Sequence, residues 1–275
     1  MAHSNRERVL WSIGMLLVVL FALIPVIWIM SISLKTPATV TDQSFWPTEI
    51  TFEHYRRLLV ETPFLVYMRN SIFLALGTTL LVITLATLGA HSLVRFRYPG
   101  RERLAQLVLF TYLLPSVVLI IPLYLLMVRL GISNTLWSLI LAYTTFALPY
   151  ALWLLRSFMA GIPDDLEAAA LVDGASRMEA FFDVILPQAL PGIISTALFT
   201  AILAWNEYLY ALVLVNTDSA RPLTTGVMTM LISAFNIEWS LLMAASVMMS
   251  LPLIVAFAFL QKYLTRGFGA GGVKG

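Results

Sequence analysis

Gly161-Ile162-Pro163-Asp164-Asp165-Leu166-Glu167-Ala168-Ala169-Ala170-Leu171-Val172-Asp173-Gly174-Ala175-Ser176, followed after a gap by Val184-Ile185-Leu186-Pro187, is a polar interruption in an otherwise apolar chain. Pro163 suits the first turn of a helix, because its fixed φ is helical and its missing N–H has no partner there anyway. Asp164, Asp165 and Glu167 then fall near the positive end of the helix dipole. Alanines 168–170 favour helix and Gly174 can end it. A second segment carries Ser176, Met178, Ala180, Phe181, Phe182, Val184, Ile185 and Leu186, and Pro187 opens the next apolar run. The spacing predicts helix, bend, helix, with Leu166, Ala169, Ala170 and Phe181 available for packing. Acids at a helix start need only water, so a solvated amphipathic loop accounts for Asp164 and Asp165. Set between two membrane spans, the same geometry offers a surface that a soluble partner can grip.

The chain on either side decides what kind of protein carries this loop. Of 275 residues, 60% are hydrophobic and 12% charged. A soluble domain of that length leaves too much surface exposed to hide such a composition, so the bilayer is its natural solvent and lipid its first neighbour. A net charge of +2 gives no reason to expect nucleic acid. There is no cysteine, which removes disulfides, zinc thiolates and thiol nucleophiles. His3, His54 and His91 are scattered, so no metal site is expected.

A helix needs roughly 20 apolar residues to cross the hydrocarbon core. Six such runs are expected, at 9–34, 70–94, 105–128, 136–157, 187–214 and 241–263, in a single all-α domain over 1–275 with a coupling segment at 161–187 and a tail at 264–275. The first run follows Arg6 and Arg8 as a signal peptide would, but at about 24 residues it exceeds the usual apolar region of one and reads as an uncleaved helix. Pro115, Pro122, Pro149 and Pro252 lie inside spans, where neighbouring groups can satisfy the carbonyls they free. Basic residues set the direction. With the amino terminus inside, the inner segments hold Arg6, Arg8, Arg95, Arg97, Arg101, Arg103, Arg156, Arg177, Lys262, Arg266 and Lys274, against Lys35, Arg56, Arg57, Arg69, Arg129 and Arg221 outside. Both termini and the segment 161–187 are then expected in the cytoplasm. In the long outer loop from Lys35 to Arg69, Phe52, Tyr55, Leu58 and Leu59 recur at helical spacing and predict a short amphipathic helix.

The order Pro163-x-x-Leu166-Glu167-x-Ala169-Ala170-x-x-Asp173-Gly174-Ala175, then Val184-Ile185-Leu186-Pro187, resembles the EAA loop of binding-protein-dependent permeases, the membrane subunits of ATP-binding-cassette importers. Aligned on Asp173 and Gly174, Ala168 stands in the place of the family's usual second glutamate and Glu167 in the acidic slot before it. Three more features are similar to the shorter permease of maltose-type carbohydrate importers: Asn70-Ser71 at the start of the second span, Ala204-Trp205-Asn206-Glu207-Tyr208-Leu209-Tyr210-Ala211-Leu212 in the fifth, and the glycine-rich tail Gly267–Gly275. The resemblance implies a bacterial-type inner-membrane permease whose loop docks in a cleft of an ATPase subunit through Leu166, Glu167, Ala169, Ala170, Asp173, Gly174 and Ala175. It implies four kinds of partner: a homologous second permease, two copies of the ATPase, an extracytoplasmic sugar-binding protein and a carbohydrate substrate. The tail would reach between the ATPases.

No Gly-x-x-x-x-Gly-Lys-Ser/Thr phosphate loop occurs, so ATP and Mg are expected on the partner ATPase, with no cofactor and no catalytic residue on this chain. Polar groups inside spans nominate a substrate path, because each is costly unless it faces protein or water. Asn206, Glu207 and Tyr208 in the fifth span come first, then Tyr112 and Ser116 in the third and Tyr143 and Thr144 in the fourth. Glu207 serves equally as a sugar contact or as a structural hydrogen-bond acceptor, and the serines, threonines and tyrosines can bridge helices. The outer segment 215–240 offers a surface for a binding protein. The competing class is a stand-alone secondary transporter, which often carries inverted repeats; no repeat stands out in this chain.

Overall fold

A computed structural model describes residues 5–42, 44–231 and 238–271, with side chains described except in 5–10 and 262–271. Every regular element among the described residues is helical, and the one isolated bridge joins Lys35 to Ile50. Hydrocarbon imposes this, since each backbone N–H and C=O must find its partner within its own segment. Five helices are long and apolar enough to cross a membrane, and a bent helix pair makes a sixth. The all-α, six-span class follows.

In chain order the helices are α1 (Asn5–Ser33), α2 (Glu53–Val60), α3 (Phe64–Arg95), α4 (Arg101–Tyr112), α5 (Ser116–Arg129), α6 (Leu136–Ala160), α7 (Asp164–Val172), α8 (Arg177–Glu179), α9 (Leu186–Asn206), α10 (Leu209–Leu214), α11 (Leu223–Leu231) and α12 (Trp239–Gly271). A π turn, Ala180–Ile185, joins α8 to α9 without a break. The expected tail therefore begins as the end of α12, and its last four residues, 272–275, lie outside the described residues, as does 232–237 of the expected outer docking segment.

Two expected spans are interrupted. The third, expected as one run over 105–128, is α4 and α5 meeting at 97°. Pro115 causes the break: it sits as N-cap of α5 with ψ 120°, and its ring disfavours a helical residue before it. The fifth, expected over 187–214, starts earlier and stops sooner. Pro187 does not open it, because the helix already runs from Arg177. The π turn just ahead accommodates the donor that proline lacks. At the far end Glu207 is extended (φ −67°, ψ 132°) and separates α9 from α10.

The chain divides into two compact units, Met1–Leu65 with Val227–Pro252, and Val66–Gly226 with Leu253–Gly275. In the first, the loop after α1 folds around Lys35, whose side chain is fully buried. Its ammonium donates to the carbonyls of Asp42 (2.8 Å) and Ser44 (2.7 Å) and lies 5.5 Å from the Trp28 ring. The predicted amphipathic helix is α2, though its buried face is His54 and Leu58 while Phe52 is exposed. His54 bonds the Lys35 carbonyl at 2.9 Å, and Tyr55 meets Ser33 at 2.7 Å.

In the second unit α6 is the hub, packed by α4, α5, α9 and α10. Small side chains let the helices close on each other, as membrane interfaces require. Ala86 and Ala90 of α3, Ala147 and Ala151 of α6 and Ala189 of α9 are buried in one cluster with Leu155, Met159, Phe181 and Ile185. At Gly192 an added Cβ would lie 2.5 Å from the Phe158 ring.

Candidate functional site

The loop segment that decides the class folds as its spacing predicts. α7 starts after Pro163, with Asp164, Asp165 and Glu167 in its first turn. It ends in a Schellman motif: Ala175 N–H donates to Ala170 O (3.0 Å) and Gly174 N–H to Leu171 O (3.2 Å), with Gly174 at φ +95°. That left-handed φ is what the glycine supplies. Two residues on, Ser176 and Glu179 form a reciprocal capping box, Ser176 N–H to Glu179 at 2.7 Å and Glu179 N–H to Ser176 Oγ at 3.3 Å. The chain then runs through the π turn into α9, so the second helix of the loop and the fifth span are one piece.

Exposure sorts the expected docking residues. Leu166, Ala169, Asp173 and Gly174 are exposed, Ala170 and Ala175 are half-buried, and Val172, at 87% exposure, is the most open large apolar side chain among the described residues. Met178 and Phe182 are exposed beside them, whereas Phe181 is buried. The tip of α7 is therefore apolar and rimmed by the acids Asp164, Asp165 and Asp173. Glu167 faces the other way. Its side chain is 8% exposed and its carboxylate lies 3.2 Å from Arg95 Nε at the end of α3. Arg95 is also paired with Asp164 and donates from Nη2 to Ile162 O at 2.9 Å. Sequence reading placed Arg95 only as a topology marker; nothing local to it signals a partner about seventy residues away.

The second group of candidates gathers where the fifth span breaks. Glu207 caps α10 with both carboxylate oxygens, accepting from Tyr210 N–H (2.9 Å) and Ala211 N–H (3.2 Å). Its own carbonyl accepts from Thr224 Oγ1 at 2.7 Å, and Asn206 Nδ2 closes back on Ile202 O at 2.8 Å. Unwound backbone at membrane depth survives only with such partners. Tyr210 Oη donates to Ser116 O at 2.7 Å, which ties this break to the start of α5 beside the other one. Tyr143 is fully buried near Phe146, and Phe146 stacks at 5.2 Å on Tyr210. Thus Glu207, Ser116 and Tyr143 come together, joined by Tyr210, which sequence reading quoted within its run but did not single out. Thr144 spends its hydroxyl on Ile140 O in its own helix (2.8 Å), and Tyr112 stacks instead on Tyr150 at 5.9 Å. Asn206 and Tyr208 remain exposed at the break.

Asn70 and Ser71 also have a clear task. Asn70 Nδ2 donates to Ser219 O (3.0 Å) and Arg221 O (2.9 Å), and Ser71 Oγ accepts from Leu223 N–H (2.8 Å). Nearby Asp218 accepts from Tyr67 Oη (2.9 Å) and Arg221 (2.6 Å), and these two, the tyrosine first, hold its carboxyl below the ordinary aspartate range. Among the described residues no group of three His, Cys, Asp or Glu side chains gathers to hold a metal.

Comparison with known proteins gives the same picture. A family model described as "Binding-protein-dependent transport system inner membrane component" matches residues 83–269. The chain is 36% identical over 271 residues to the trehalose transport system permease protein SugB of Mycobacterium tuberculosis (strain CDC 1551 / Oshkosh), covering 98% of this chain and 99% of that protein. It is 33% identical over 277 residues to the trehalose/maltose transport system permease protein MalG of Thermococcus litoralis, covering both in full. Among solved structures, a chain of a bacterial ABC transporter that imports the acidic polysaccharide alginate superposes with a TM-score of 0.82 at 25% identity, over 96% of this chain and 99% of that one.

Proposed function

The chain belongs to the binding-protein-dependent transport system inner membrane component family and is the permease subunit of a carbohydrate ABC importer; on that premise we propose that α7 is the element through which a separate ATPase drives it. The observation that carries this is the exposed tip Leu166, Ala169, Val172 and Asp173, held by a capped, left-handed turn and followed by a helix that continues into the fifth span. A push on this tip has no loose joint to dissipate it before the bilayer. In the proposed cycle two ATPase copies close on ATP, the loops of this chain and of a homologous companion move with them, and the cavity opens outward to take substrate from a docked binding protein. Hydrolysis returns it inward. Such a cycle works only because each partner binds the two states with different affinity. The chain supplies no phosphate loop, so ATP and Mg belong to the partner.

The substrate class is a carbohydrate, and the region around the broken fifth span is the proposed path. Exposed Asn206 and Tyr208 present an amide and an aromatic face of the kind that binds sugar hydroxyls and rings. Glu207, Tyr143, Tyr210 and Ser116 give that region its shape through contacts within the chain. The excess of basic residues on one side supports a cytoplasmic loop and cytoplasmic termini, with the segment around Asn216 outside.

The test is co-purification. A Val172→Arg variant, and separately Asp173→Lys, should leave the permease folded but weaken ATPase association by about tenfold or more, as burying an unpaired charge at an interface centre does. Wild-type association by both variants would remove α7 as the docking element.

A further inference from the structure

We infer that Arg95 is a positioning residue that fastens the coupling helix α7 to the end of α3, so that the two move as one body and α3 receives the ATPase's motion alongside the fifth span. This rests on the reading of α7 as the docking element and names what lies behind it. One guanidinium makes three attachments: to the Glu167 carboxylate at 3.2 Å, to Asp164, and to the Ile162 carbonyl at 2.9 Å. The first lies inside the protein, with the Arg95 and Glu167 side chains 6% and 8% exposed. A surface ion pair exchanges freely with water, whereas a desolvated one cannot part without stranding a charge. The Ile162 bond fixes the residue just before α7, and the two acids fix its first turn. The guanidinium reaches all three at once, and its contact with Glu167 is an ion pair whose Nε and Oε2 atoms are not aligned as a hydrogen bond.

The placement also suits both helices. Arg95 is in the last turn of α3 and the acids in the first turn of α7, so each charge sits at the dipole end that favours it. A second fastening lies one turn earlier on α3. His91 is buried and stacks at 4.6 Å on Phe181, which belongs to the π turn leading into α9. Both halves of the coupling loop are therefore anchored on the same stretch, His91 to Arg95. The outward-facing residues of α7 grip the partner while Glu167, on its inner face, grips α3. Tip and clamp are separate groups with separate tasks.

The experiment uses the full importer in proteoliposomes. Arg95→Gln and Glu167→Gln keep shape and burial but remove a charge, and Arg95→Lys keeps the charge but loses the fork. With the clamp transmitting motion, the Gln variants retain bound ATPase and basal hydrolysis while substrate moved per ATP falls about tenfold, the size of an ordinary coupling energy, and Arg95→Lys recovers part of it. A merely structural pair would change assembly or hydrolysis and leave that ratio alone. Wild-type transport per ATP in both Gln variants overturns the inference. Because the chain has no cysteine, Leu88→Cys on the exposed face of α3 and Asp165→Cys on α7 can carry spin labels without touching the clamp. Their separation stays constant between nucleotide-free and ATP-bound complexes if the two move together, and a change overturns the inference even where the Gln variants fail to assemble. Val172→Arg is the control: if it leaves ATPase association intact, the docking reading itself has failed, whatever Arg95 does.

Discussion

At the residue scale, one charge type serves opposite tasks within seven positions. Glu167 is turned inward to Arg95, whereas Asp173 closes α7 and remains exposed. The resemblance to the EAA loop put both on one docking list, and helical spacing cannot say which face a distant arginine will claim. Gly174 was legible, since a left-handed position after a run of alanines has few other tenants. Gly174→Ala should therefore cost about 1–2 kcal/mol locally, the strain of an L-residue at that φ, although an added Cβ would meet nothing. Looser ATPase binding with a Tm lowered by about 2–8 °C is the expected readout. Asp218 gives the pH prediction. Tyr67 and Arg221 depress its pKa, so its contribution is complete above the ordinary aspartate value of 3.8 and is lost as the pH falls through the lower folded value. Asp218→Asn should lower Tm at neutral pH, and the gap from wild type should close only below 3.8. A gap that closes nearer neutrality would mean the carboxylate is not held this way.

At the scale of elements, composition and span length revealed how many helices cross, and the breaks show where such reading ends. Pro115, expected inside a continuous span, instead divides it at 97°. Whether a proline kinks or divides depends on contacts that local sequence does not display, and here Tyr210, ninety-four positions from Ser116, ties its hydroxyl to that residue's carbonyl beside the break. The break at Glu207 has no proline at all. It persists because a glutamate caps the next helix and a threonine from α11 covers the carbonyl. Glu207→Ala removes two acceptors in a region with little water and should cost about 2 kcal/mol. Glu207→Gln, which keeps one oxygen, should cost less. Thermal unfolding in detergent reads both, and equal stability of all three proteins would show that the cap does not hold α10.

At the scale of the whole molecule, the arginine distribution predicts an orientation, and the lack of cysteine makes it directly measurable. Single cysteines at exposed Met178 and Asn216, near the two ends of the fifth span, should react with an impermeant maleimide from opposite sides of the membrane, Asn216 from outside intact cells and Met178 only after lysis. The reverse order would invert the topology and put α7 out of an ATPase's reach. The unbroken helix between those sites has a mechanical consequence of its own. Its 30 residues, Arg177–Asn206, make a rod about 45 Å long, comparable to the full depth of a bilayer with its headgroups. Apart from the π turn, Pro187 and Pro191 in its first half the rod is regular, and pivoting about its middle by about 10° swings each end by roughly 4 Å in opposite senses. An inward stroke at one face of the membrane is thereby returned as an outward stroke at the other, and Glu207, where the rod stops, is the point at which that swing is handed to the next segment of chain.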